Sequence, residues 1–310
     1  GIVIVSFYGL VDGSDASLKS YLNNLSGVDQ VGAEARAAML ATRSIKTSSK
    51  RWAIDTAITM VDLTTLEGAD TPGKVKALCT KAVRPDPTDS TVPSVGAVCV
   101  YNDMVSVART HLDLIGGQHV PVAAVSTAFP SGRASMAVKI QDTQDAIDAG
   151  AAEIDMVIDR GAFLAGRYID VFNEIVQIKQ VCGDKAHLKV IFETGELVTY
   201  DNVRKASFLA MAAGADFIKT STGKVAVNAT LEAAETMLQA IRDSRRKVGF
   251  KPAGGISTVT DAALYLSLAD TIMGEDWVMP STFRFGASGL LDDIVAVLSG
   301  EQSSAAASGY

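Results

Sequence analysis

Eight short β-branched runs, each followed by a longer stretch with helical spacing, predict an α/β chain whose parallel strands close into a (β/α)8 (TIM) barrel. Two further observations agree. The chain has 310 residues, and a barrel of this kind takes ~250 residues as one unit. No GxGxxG is present, so the competing open, doubly wound sheet lacks its phosphate-binding first turn.

Taken in order, residues 1–50 lie outside the repeat and read as an N-terminal helical extension with a linker. Its opening GIVIVSFYGL is apolar but has no basic flank and no clear cleavage site, so it is not read as a signal peptide. SLKSYLNNL and AEARAAMLATRSI are expected to be short helices packed on the barrel, and TSSK (47–50) the linker. The barrel spans 51–300. Its expected strands are AITMVDL (57–63), GAVCVY (96–101), VPVAAVST (120–127), EIDMVID (153–159), HLKVIFE (187–193), FIKTST (217–222), GFKPAGG (249–255) and FRFGAS (283–288). Between them, QDTQDAIDAGA and DVFNEIVQIKQVCG end in glycines of the C-cap type. NATLEAAETMLQAIRD opens with Asn228, expected as its N-cap. Residues 301–310, EQSSAAASGY, read as a flexible C-terminal tail.

Composition narrows the function classes. The formal net charge is −7 with no block of like charges, which argues against nucleic acid or an anionic membrane as a general partner. No apolar run reaches the ~20 residues of a membrane helix. Cys79, Cys99 and Cys182 are odd in number and form no CxxC, which fits a reduced, cytoplasmic setting. His111, His119 and His187 are scattered and make no metal-binding spacing, so no metal is expected.

Side chains alternate across a strand, so the apolar set of each strand fixes which residues point inward. Ile154, Met156 and Ile158 meet the helices and send Asp155 inward. By the same parity Asp62, Cys99, Lys189, Lys219 and Lys251 point to the barrel axis. Barrel interiors are normally filled with Val, Ile and Leu, and charges are rarely buried unless paired or functional. A structural ion-pair network is one reading, but such networks contribute little stability compared with an apolar core. A catalytic centre is the reading adopted. Neighbouring strands are about 4.8 Å apart, and two ammonium groups ~6 Å apart at an effective dielectric near 20 repel by about 3 kcal/mol, or two pKa units. A lysine so placed is expected to be substantially neutral near pH ~8, and a neutral amine attacks a carbonyl to form a Schiff base. Asp155 and the other cation then move protons.

Three small-residue loops, STGK (221–224), AGG (253–255) and GAS (286–288), follow the last three strands. Singly they read equally well as tight turns. Together at one barrel end, they suit an anion held by backbone N–H groups. STGK is not a Walker A loop, because Ile218 stands where that motif needs glycine.

The stretches DLTTL (62–66), AVCVY (97–101), FPSG (129–132), EIDMVI (153–158), LKVIFETGEL (188–197), ADFIKTSTGK (215–224), VNAT (227–230), GFKPAGG (249–255) and RFGAS (284–288), in this order over about residues 50–300, resemble the deoxyribose-phosphate aldolase family of class I aldolases. The resemblance implies reversible cleavage of 2-deoxy-D-ribose 5-phosphate to D-glyceraldehyde 3-phosphate and acetaldehyde, without a cofactor. It implies Lys219 as the Schiff-base lysine, Lys251 as the second lysine that lowers its pKa, and Asp155 as a proton relay. Asp62, Cys99, Lys189 and Lys224 match substrate-binding or adjacent positions, and Gly223, Gly254, Gly255, Gly286 and Ser288 match the phosphate pocket. Similar enzymes end in a tyrosine that reaches the active site, here Tyr310; the competing reading is a disordered tail with no role.

The chain departs from the family pattern in three places. Ser257 stands where arginine is common, Gly289 where a hydroxyl residue is common, and Asn102 where proline is usual. The first two are expected to weaken phosphate binding. Expected partners are therefore small sugar-phosphate and aldehyde substrates, with a homo-oligomer left open. Two alternatives stay in play: a Schiff-base lyase for a less phosphate-dependent aldehyde, and a barrel that binds sugar phosphates without chemistry. Intact Lys219, Lys251 and Asp155 argue against the latter.

Overall fold

The computed structural model describes residues 14–42, 54 and 56–300. The expected apolar start, the linker at 47–50 and the tail with Tyr310 lie outside the described residues. Two helices come first, α1 (Asp15–Asn23) and α2 (Gln30–Thr42). The barrel follows as β1 (Val61–Thr64), α3 (Pro72–Val83), β2 (Ala97–Val100), α4 (Val105–Leu114), β3 (Val122–Ser126), α5 (Met136–Asp148), β4 (Glu153–Val157), α6 (Arg160–Leu164), α7 (Tyr168–Cys182), β5 (His187–Ile191), α8 (Tyr200–Ala212), β6 (Phe217–Lys219), α9 (Leu231–Ser244), β7 (Gly249–Lys251), α10 (Val259–Met273), β8 (Phe285–Ala287) and α11 (Leu290–Leu298).

Each strand pairs in parallel with its sequence neighbour, and β1 pairs with β8. Two parallel bridges, Phe250↔Phe283 and Ala253↔Gly286, join the β7 and β8 segments and close the ring. Gly286 is required there: a Cβ would come within 2.7 Å of the Ala253 Cβ and 3.1 Å of Lys251 Cε.

Six barrel helices start the same way, α6 with Asp159 accepting from Ala162 N–H and five with a hydroxyl. Thr71, Ser135, Thr199, Thr230 and Thr258 each accept a hydrogen bond from the backbone N–H three residues on, and each such cap contributes about 1 kcal/mol. The cap of α9 is thus Thr230, not the expected Asn228, whose amide donates instead to Val225 O. Gly183 closes α7 with φ +53°.

Strand positions agree with the sequence reading, but their ends differ. Residues 57–59 are helical rather than extended, and the Thr59 hydroxyl bonds back to Thr56 O within that turn. At the other end, β6 and β7 stop at Lys219 and Lys251. Beyond them the chain must turn to build loops, and Gly223, Gly254 and Gly255 take positive φ.

The outward face of the strands carries the main core. Val61, Leu63, Val98, Val100, Ile154, Met156, Leu188, Val190, Ile218 and Phe250 lie in one buried cluster with the helices. Helix α1 packs on α7 and α8, and α2 on α9 and α10, so the leading helices cover one side of the barrel. The inward face carries a small separate cluster of Leu66, Cys99, Ala123 and Val125, topped by Tyr101 and Phe129. Among the described residues, no helix is long and apolar enough to cross a membrane.

The β7–β8 seam has few ladder bonds and depends on aromatic packing. Phe283 stacks edge-on against both Phe250 (5.9 Å) and Phe285 (4.9 Å) and is fully buried. Phe283→Ala is expected to lower unfolding stability by about 3–5 kcal/mol, the usual cost of a large aromatic-to-alanine cavity. Urea titration checks this; a loss under ~1 kcal/mol contradicts the importance of the seam.

Candidate active site

Strand register builds the site. Lys219 and Lys251 end adjacent strands and are paired directly. Asp155 and Lys189 are paired across β4 and β5. Because all four share the inward parity, their side chains converge inside the barrel, joined by Asp62 from β1. Lys189 and Lys251 are fully buried, and Lys219 is 3% exposed.

Asp155 is the hub. Its Oδ1 accepts from Lys189 Nζ at 2.8 Å. Its Oδ2 accepts from both Lys219 Nζ (2.9 Å) and Lys251 Nζ (2.8 Å). Lys251 also donates to Asp62 Oδ2 at 2.7 Å. Lys189 continues to Glu153 Oε1 (2.6 Å) and Asp62 Oδ2 (3.4 Å). Arg284 completes the network, with one nitrogen on Asp62 Oδ1 (2.8 Å) and two on the Glu153 carboxylate (2.9 Å each).

The charges in this cluster do not match one to one. Asp62, Glu153 and Asp155 face four bases, Lys189, Lys219, Lys251 and Arg284. Three cations neutralise three carboxylates, and an uncompensated buried charge is expensive. Lys219 has the weakest claim to a proton: among the described residues its one ion-pair contact is an oxygen it shares with Lys251.

Protonation follows. Burial favours the neutral form of Lys219, and Lys251 pushes the same way; together they outweigh Asp155, so the amine sits below the ordinary lysine range. Burial also acts against the Lys251 cation, but Asp155 and Asp62 overcome it and hold that ammonium charged. Lys189 is held charged in the same manner by Asp155, Asp62 and Glu153. Burial resists charge on Asp155, yet the three lysines keep it firmly ionised. The sequence reading put lysine–lysine repulsion first; in the structure burial is the larger cause for Lys219. Burial pushes the Cys99 thiol up, so it stays protonated inside the barrel.

Lys219 opens onto a cavity of ≈ 770 Å³ at the C-terminal end of the barrel. Gly223, Lys224, Gly254, Gly255, Gly286 and Ser288 all line it, as do Ser257 and Gly289. Gly254 has φ +84°, and a Cβ there would strike the Asn228 side chain at 2.5 Å. Ser288 Oγ donates to Thr64 O (2.9 Å), which ties the β8 loop to β1. Cations at the rim are already engaged: Lys224 with Glu67 at 3.1 Å, Lys74 with Asp70 at 3.0 Å, and Lys81 with Asp292.

Three residues escaped the sequence reading. Glu153 shares the parity of Asp155, and Arg284 alternates with Phe283 and Phe285, so strand alternation alone would have found both. Glu193 shares the parity of Lys189 in HLKVIFE, but the strand ends at Ile191 and Glu193 lies beyond it. It is buried in a left-handed conformation (φ +59°) and accepts from both the N–H and hydroxyl of Thr222, which orders the loop carrying Gly223 and Lys224.

Comparisons with known proteins identify the family. The family model described as DeoC/LacD family aldolase matches residues 56–290. A deoxyribose-phosphate aldolase of Agrobacterium fabrum is 50% identical over 253 residues, covering 82% of this chain and 94% of that one. The Homo sapiens deoxyribose-phosphate aldolase is 45% identical over 250 residues, covering 77% and 78%. Two solved structures share the fold. One, from Toxoplasma gondii ME49, has a TM-score of 0.73 at 23% identity and covers 84% of this chain and 99% of that one. The other, a tetrameric deoxyribose phosphate aldolase from Aeropyrum pernix, has a TM-score of 0.64 at 20% identity and covers 83% and 99%. The chain belongs to the DeoC/LacD family of aldolases.

Proposed function

We propose that this aldolase cleaves 2-deoxy-D-ribose 5-phosphate reversibly to D-glyceraldehyde 3-phosphate and acetaldehyde, through an imine on Lys219. The observation that carries the reading is the shared oxygen: Lys219 and Lys251 meet on Asp155 Oδ2, and Lys219 faces the cavity. The relatives named deoxyribose-phosphate aldolase support the substrate.

The chemistry runs as follows. The neutral Lys219 amine attacks C1 of the open-chain sugar, and loss of water leaves a protonated imine. The C3 hydroxyl gives up its proton to Asp155 through water. The C2–C3 bonding pair then moves toward the imine nitrogen and gives an enamine, and glyceraldehyde 3-phosphate departs. Protonation of C2 returns an imine, and water releases acetaldehyde and the free amine. Lys251, charged at rest, lends the proton that the imine takes up and recovers it when water releases acetaldehyde, while Asp155 passes the C3 proton back to C2 through water. Lys189 and Asp62 hold these two groups in place. The substrate phosphate sits among the backbone N–H groups of the Gly223, Gly254–Gly255 and Gly286–Ser288 loops, near Lys224. A reduced, cytoplasmic setting is part of this reading, since Cys79, Cys99 and Cys182 are all free and buried. So is assembly into a homo-oligomer, by analogy with the tetrameric relative.

Borohydride reduction in the presence of acetaldehyde tests the imine. A two-carbon adduct mapped to Lys219 is expected; an adduct on another lysine, or none, contradicts the reading. A second prediction concerns the phosphate. With Ser257 in place of a cation and the rim lysines engaged by carboxylates, discrimination for the 5-phosphate is reduced. Ser257→Arg is expected to raise the ratio of kcat/KM for deoxyribose 5-phosphate over deoxyribose by about 5- to 150-fold, the worth of a charge-assisted contact of roughly 1–3 kcal/mol. An unchanged ratio removes the assignment of Ser257 to the phosphate pocket.

A further inference from the structure

The floor of the barrel holds an ion pair that the proposed chemistry does not use. Glu153 is the first residue of β4, one inward step below Asp155, and Arg284 directly precedes β8. They are 4% and 7% exposed. Neither lines the cavity, so neither reaches a substrate. Arg284 is nevertheless held at every nitrogen. Its Nε donates to Pro280 O at 2.6 Å, and its terminal nitrogens bond Asp62 and both oxygens of Glu153. Room is kept for it at Gly96, where a Cβ would stand 3.4 Å from Arg284 Cδ and 2.7 Å from Thr59 O.

Glu153 connects to Lys219 through two intermediates and Arg284 through three, with Asp155 the last in both paths. Glu153 holds Lys189, and Lys189 holds Asp155. Arg284 holds Asp62, and Asp62 shares Lys251 with Asp155. The charged groups facing Lys219 are Asp62 from β1, Glu153 and Asp155 from β4, Lys189 from β5, Lys251 from β7 and Arg284 before β8. Cys99 from β2 is neutral, and β3 presents Ala123 and Val125. At the cavity mouth Lys224, Lys74 and Lys81 are matched by Glu67, Asp70 and Asp292. The interior balance therefore rests on the floor pair: one carboxylate of three and one fixed cation of three.

We infer that Glu153 and Arg284 are positioning residues that set the charge balance of the barrel interior and, through it, the free amine of Lys219. This rests on the imine reading of Lys219. Removing the Arg284 charge leaves three carboxylates facing two fixed cations, so Lys219 keeps its proton to a higher pH. Removing the Glu153 charge leaves two carboxylates facing three cations, so Lys219 loses its proton at a lower pH. Removing both restores the balance. A role in packing alone predicts lost activity without this opposition in sign.

The test is the acid limb of the kcat/KM–pH profile with deoxyribose 5-phosphate as probe. Arg284→Gln is expected to move the limb up by about one pH unit, the effect of a unit charge ~10 Å away at an effective dielectric near 20. Glu153→Gln is expected to move it down by a similar amount, the double variant to return it to the wild-type position, and Arg284→Lys to leave it in place. Limbs that stay put in both single variants, or move in one direction in both, overturn the inference. If a single variant does not fold, the double variant and Arg284→Lys decide: a displaced limb in either overturns it. Acetaldehyde trapping on the wild-type enzyme separates the two readings. No adduct at Lys219 overturns the imine, whereas an adduct with unmoved limbs overturns only the role of the floor pair.

Discussion

One carboxylate organises the interior of this protein. Asp155 accepts from three lysine ammonium positions with two oxygens, and two of those lysines share the same oxygen. A carboxylate offers about four acceptor sites, so Asp155 is close to saturated. Low polarity around it makes every unpaired charge costly. The cheapest arrangement pairs Lys189 and Lys251 as cations and leaves Lys219 as the amine. Burial and electroneutrality inside a closed barrel thus make Lys219 easier to deprotonate than an ordinary lysine, with repulsion from Lys251 adding to them.

Barrel geometry makes that concentration of charge feasible. Alternation sends every second residue of eight strands to one axis, so a few polar choices per strand assemble a full network. The usual aliphatic filling of the interior is given up over much of its height. Stability comes instead from the outer layer, where the strand faces and helices form one continuous apolar core. The floor of the network is closed by Arg284 and Glu153, and its top opens on the cavity beside Lys219. A gradient from multiply paired charges to a lysine that shares its carboxylate oxygen with Lys251 therefore runs along the barrel axis.

Much of this was legible in the sequence because period-two alternation is local. EIDMVID, HLKVIFE and DFIKTST each state which residues face inward, and Asp155, Lys189 and Lys219 follow without knowledge of the fold's closure. Strand ends were less legible. The last two inward lysines terminate their strands, but the small residues after them look equally extended in sequence. Asn228 is a good cap by type, yet Thr230 caps α9 because the chain from 223 to 229 is still occupied by the loop above the barrel. Glu193 has the inward parity of Lys189, but its role was hidden: its partner Thr222 lies 29 residues away, and local spacing does not show a carboxylate beyond the strand end folding one loop against another. The rim pairs, such as Lys224 with Glu67, are longer-range still.

The state of one amine tests all of this most directly. Lysine labelled with 13C at the ε-carbon, with the Lys219 signal assigned by its loss in Lys219→Arg, reports protonation at that site by NMR. A midpoint well below the ordinary ~10.4 of lysine is expected for Lys219, with the Lys251 signal still that of a cation where Lys219 has lost its proton. An ordinary alkaline midpoint for Lys219 would contradict a nucleophile made by charge balance.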